Sequence, residues 1–149
     1  MSWLQAYLPV LVLLGGVFWL AGTAAGSNAY QVLKNYDISH LWETRERLAA
    51  IGPQAVLAYL PDLLAGQHWL ALASVVLSLP AAAALFSLRF DRRMNSRRHL
   101  NPLYVGTDPG TAASDSQVQR WGLTGLQYAL VKAAIMLLCL GVLLWLRCP

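Results

Sequence analysis

Residues 4–25 read LQAYLPVLVLLGGVFWLAGTAA, a run with no charged side chain. About 18 or more consecutive apolar residues suffice to cross a hydrocarbon core of about 30 Å at the helical rise of about 1.5 Å per residue. No charge appears before Lys34, and Met1-Ser2-Trp3 lacks the Lys or Arg with which a secretory signal peptide begins. The stretch therefore reads as a retained anchor rather than a cleaved signal.

Two more windows of the same kind follow. Residues 69–88, WLALASVVLSLPAAAALFSL, lie between His68 and Arg89 with Pro80 near their centre. Proline removes one backbone donor and kinks a helix, which a membrane tolerates where neighbouring groups re-satisfy the freed carbonyl. Residues 124–146, TGLQYALVKAAIMLLCLGVLLWL, are interrupted by Lys132 alone. Ser114 with Gln117, and Ser116 with Gln119, have capping-box spacing. A helix is thus expected from near Ser116, about 45 Å long if it runs to Leu146.

Composition points the same way. The chain is 57% hydrophobic and 12% charged, whereas soluble domains carry about 25% charged residues. This excludes a soluble single-domain enzyme, and the high aliphatic content with two cysteines excludes disordered and disulfide-framework classes. The expected fold class is an all-α membrane protein forming a single membrane domain. Its three transmembrane helices cover about 4–25, 69–88 and 124–146, with a helical, partly interfacial connection over 26–67 and a basic connection over 89–120.

The net charge of +4 is informative by position. Arg89, Arg92, Arg93, Arg97, Arg98 and Arg120 lie on the 89–120 connection, against Lys34, Arg45 and Arg47 on 26–67. The positive-inside rule then places 89–120 in the cytoplasm. Three alternating spans in an inner (plasma) membrane would put the N-terminus in the cytoplasm, with residues 26–67 and the C-terminus outside. The uncharged N-terminus and Arg147 both fit this threading poorly. Arg89, Arg92, Arg93, Arg97 and Arg98 are expected to meet anionic phospholipids, at about 1 kcal/mol per basic residue near the surface. Nucleic acid is not an expected partner, because the cluster lacks a recognisable binding motif.

Within 26–67, Ile38, Leu41, Trp42, Leu48 and Ile51 recur at helical spacing after the potential caps Asp37 and Ser39, and Glu43 precedes Arg47 by one turn. Gly52-Pro53 reads as the stop of that helix. Residues 53–65 are apolar apart from Gln54 and Asp62 and are broken by Pro61, which suggests an interfacial or re-entrant segment. Trp42 and the apolar faces here are candidates for contact with lipid or a partner.

Lys132 is the ionisable residue inside the spans, and neither of the other two windows holds an Asp or Glu. It is expected to snorkel to lipid phosphates or to pair with an acid of another subunit. Gly22 with Gly26, alongside Ala21 and Ala25, provides small-residue faces for close helix packing, and Ala81–Ala84 follow Pro80 as a smooth collar. These residues, with Pro80 and Lys132, are the candidate interface positions.

No nucleophile elbow, zincin, Walker or dinucleotide motif is present, so no catalytic, cofactor or metal residue is assigned. His40, His68 and His99 fall on separate connections, and Cys139 and Cys148 stand about 13 Å apart along one helix. The expected function is that of a non-enzymatic subunit or scaffold of a multi-protein inner-membrane assembly of the secretion, transport or respiratory type. Its partners would be the bilayer, anionic phospholipids and other membrane subunits, with hetero-oligomers favoured over homo-oligomers. The alternatives are a homo-oligomeric channel, holin-like pore or small transporter, and, third, a membrane redox or haem protein using His68 or His99.

Overall fold

A computed structural model describes residues 3–34, 40–106 and 118–148, with side chains apart from 3–5, 40–44 and 46–48. It is all-helical, without a strand among the described residues. The elements are α1 (Trp3–Leu33), α2 (His40–Ala58), α3 (Leu60–Leu64), α4 (His68–Arg97) and α5, the last helix, Gly125–Leu146. Three of them, α1, α4 and α5, are long and apolar enough to cross a membrane. The protein is therefore a multi-pass membrane protein by length and composition of its helices.

Each helix buries one stripe. On α1 it is Val10, Leu13, Val17, Ala21, Ala25 and Ala29, three or four residues apart, while Leu8, Leu11, Val12 and Trp19 face outward. On α2 it is Ile51 and Ala55, continued by Tyr59 just past its end, and on α4 it includes Ala71, Ser74, Ser78, Ala81 and Ala82. The two alanine-rich stripes let backbones approach closely, and in lipid such packing rather than water exclusion drives helix association. Ala21, Ala55 and Ala82 meet in one core with Val17, Tyr59, Phe86 and Leu143.

Helix directions depart from the expected alternation. Ala6, near the start of α1, offers its carbonyl to Arg147, just past the end of α5, and the same guanidinium lies 5.0 Å from the Tyr59 ring. Sixteen residues further along α1, Gly22 faces Arg89 and Arg93 near the end of α4. Lys132, early in α5, pairs with Asp91 at that same far end. So α1 and α4 run parallel, and α5 runs antiparallel to both. Gln54 faces Gly16 while Tyr59 lies at the level of Ala6, so α2 runs back along the bundle. The start of α1 and the end of α5 therefore share one end of the bundle.

Two helix limits also differ from expectation. Helix α2 continues through Gly52-Pro53 to Ala58, because the Ile51, Ala55 and Tyr59 stripe is packed on both sides of the proline. The long helix expected from Ser116 is not found. Ser114, Ser116 and Gln117 lie outside the described residues, and Gly122, at φ +63, turns the chain before α5. Helix α5 starts instead on a capping box in which Gln127 N donates to Thr124 Oγ1 at 3.3 Å and Thr124 N donates to Gln127 Oε1 at 2.8 Å. Gly125 is required there, since a Cβ would collide with the Leu103 carbonyl.

The stripe assignment makes a direct test. Ala21→Leu overfills a position with no exposure, and is expected to destabilise the detergent-solubilised protein by about 1–3 kcal/mol in thermal unfolding. Leu11→Ala, at a position 60% exposed, is expected to shift stability by about 0.5 kcal/mol or less. Equal effects would contradict the packing.

Candidate functional site

Helix α5 buries few side chains: Lys132 near its start and Leu143 near its end, followed by Arg147 at its C-cap. These three share one face, and two of them are cations. The attachment of α5 thus ends in an ion pair on each side.

At the end shared by the chain termini, Arg147 and Asp62 are both nearly fully buried, with side-chain exposures of 2% and 4%. Arg147 Nη1 donates to Asp62 Oδ2 at 3.0 Å, Nη2 donates to the same oxygen, and Nε donates to the Ala6 carbonyl at 3.0 Å. One planar guanidinium thereby ties α1, α3 and α5 together, a geometry that an ammonium cannot reproduce. Asp62 is positioned by the end of α3. Gln67 N donates to the Asp62 carbonyl at 2.9 Å and Gly66 N to the Leu63 carbonyl at 3.1 Å, a Schellman closure made possible by Gly66 at φ +79. Tyr59 Oη and Ser74 Oγ are both buried without a hydrogen bond.

At the other end, Lys132 Nζ lies 2.6 Å from Asp91 Oδ2 and 3.8 Å from the centre of the Tyr128 ring. Ser87 Oγ donates to the same Asp91 oxygen at 3.3 Å. The expectation that Lys132 has no acid within the chain is therefore corrected. Helix α4 runs on past Leu88 to Arg97 and carries Asp91 on the face turned to α5.

The remaining candidate residues divide by surroundings. Ala21 and Ala25 are fully buried inside the bundle, Gly22 sits against Arg89 and Arg93, Gly26 has open space beside it, and Pro80 is on the exposed side of an unbroken α4. Arg89 stacks 4.3 Å over the Phe18 ring, while the Nε atoms of Arg89 and Arg93 are buried without a hydrogen bond. Arg92 and Arg97 are exposed, and Arg98 caps α4. The side chain of Trp42 lies outside the described ones.

His68 and His99 stand at opposite ends of α4. His99 adopts φ +58 as the left-handed residue that closes the helix, where Leu100 N donates to the Asn95 carbonyl at 2.9 Å. Buried Asn95 holds the following loop through Nδ2 donation to the Tyr104 carbonyl at 2.9 Å. Cys139 and Cys148 are both free thiols.

Sequence reasoning missed Asp62 and Asp91 as partners. Asp62 is the lone acid in the apolar run 53–65, and Arg147 the lone cation after the last one. That shared oddity was the available signal, because each charge needs a partner if buried.

Removing one member of the tighter pair strands a buried charge. Asp62→Asn is expected to cost about 3–5 kcal/mol in thermal unfolding, and Asp62→Leu combined with Arg147→Met is expected to recover most of that. Lys132→Met is expected to cost about 1 kcal/mol or less, because Asp91 is 43% exposed and screened. A double variant no better than Asp62→Asn would contradict the pairing.

Compared with known proteins, the chain matches no family model, no curated protein and no solved structure.

Proposed function

We propose that the protein is a non-enzymatic multi-pass subunit or scaffold of a multi-protein inner-membrane assembly of the secretion, transport or respiratory type. The observation that supports this reading best is where its charges go. Lys132 and Arg147, the cations associated with α5, are both committed to ion pairs with acids of the same chain. Between those two ends the core is built of Val17, Ala21, Ala55, Ala82 and Leu143, and the described residues there carry no charge beside the buried hydroxyls of Ser74 and Ser78. Such an arrangement suits a rigid frame better than a carrier.

Partner contact on this reading moves away from Lys132, whose charge is already matched. It belongs to the lateral apolar faces, where Leu11, Trp19, Leu137, Leu138 and Trp145 are exposed to whatever surrounds the bundle, lipid or neighbouring helices. Arg92 and Arg97 extend from the basic end toward anionic phospholipid headgroups.

Purification in mild detergent after cross-linking in cells is expected to recover the protein joined to other membrane proteins. A freely dispersed monomer would overturn the assembly reading. Lys132→Ala is expected to leave membrane conductance unchanged, whereas a homo-oligomeric pore lined by Lys132 would change its conductance.

A further inference from the structure

The geometry points to a fourth membrane crossing, made by α2, that places both chain termini on the outer face and gathers the free basic side chains on the cytoplasmic face. This rests on the reading of α1 and α4 as spans. Two parallel spans can be joined only by a segment that returns through the bilayer, and only a helix can make that return with its backbone groups satisfied. The chain leaves α1 at the end where Gly22 meets Arg93, and enters α4 at the end where Asp62 meets Arg147. Between them lies α2, 19 residues long and so about 28 Å by the helical rise, against a hydrocarbon core of about 30 Å.

Hydropathy alone does not mark α2 as a span, because Glu43, Arg45, Glu46 and Arg47 charge its first half. Its inner stripe of Ile51, Ala55 and Tyr59 is covered by protein, however, and does not face lipid. The charged half, with Glu43, Arg45, Glu46 and Arg47, lies on the side of α2 away from Tyr59. Arg47 stands about 18 Å along the helix from Tyr59, toward the basic end.

Charge distribution sets the orientation. Of the 11 Lys and Arg, Arg147 is the one at the end shared by the termini, and it is buried and paired. Lys34, Arg89, Arg92, Arg93, Arg97, Arg98, Arg120 and Lys132 belong to the opposite end, toward which Arg45 and Arg47 also lie. The positive-inside rule then assigns that end to the cytoplasm. The start of α1, with no Lys or Arg near it in the sequence, lies outside on this orientation.

Single cysteines at the exposed positions Lys34, Gln67 and Asn101, in a background lacking Cys139 and Cys148, test this with a membrane-impermeant maleimide on right-side-out vesicles. Gln67→Cys is expected to label before lysis, and Lys34→Cys and Asn101→Cys only after it. With Cys139 alone removed, Cys148 is expected to label as Gln67→Cys does. Labelling of Lys34→Cys and Gln67→Cys from the same side would overturn the fourth crossing, and the reverse pattern would overturn the orientation. Carbonate extraction separates these from failure of the membrane reading itself, since release of the chain into the soluble fraction would overturn both.

Discussion

The bundle depends on the contact of Arg147 with Asp62 and the Ala6 carbonyl. In water, an apolar helix such as α5 would be driven onto the core by burial. In lipid that drive vanishes, because acyl chains solvate leucine as well as another helix does. Few side chains of α5 are buried, so apolar packing fixes its register weakly. Charges at the two ends supply the specification that hydrophobicity cannot. An ion pair in a low-dielectric interior gives little net stability over an apolar replacement, yet tolerates no other partner arrangement. Here it ties the end of α5 to the start of α1 and to α3, and so goes with α1 and α5 running antiparallel.

The two pairs are unequal in kind. Arg147 uses a planar fork to bridge two elements besides its own and is sealed from solvent. Lys132 meets a carboxylate that remains partly exposed, with Tyr128 against its ammonium. The first behaves as a structural bolt, and the second as a hold at the membrane edge. Together they account for the ionisable side chains that α5 would otherwise expose to lipid.

Much of this fold was legible in the sequence, and the reason is physical. A membrane imposes a length and an absence of charge on its spans, which residues 4–25, 69–88 and 124–146 display openly. What stayed hidden was pairing between distant residues. The helical rise could locate Lys132 along α5, but hydropathy ended the second span at Leu88 and so left Asp91 off it. The helical spacing over residues 37–51 announced α2 but not its continuation to Ala58, where one stripe packs on α1 and α4 while Val56 and Leu57 face outward. Gly52-Pro53 looked like a stop because local propensity was weighed without the Ile51, Ala55 and Tyr59 stripe that carries the helix past it. The cap of α5 was misplaced upstream, since Thr124 with Gln127 has the same spacing as the serine pairs.

The claim that both chain ends meet is tested most directly by a spin-label distance between positions 7 and 148, using Tyr7→Cys with native Cys148 after Cys139→Ser. The adjacent residues Ala6 and Arg147 are hydrogen-bonded at 3.0 Å. The account predicts a separation far short of the about 30 Å that a hydrocarbon core imposes on opposite faces. A separation at or beyond that thickness within one chain would contradict it.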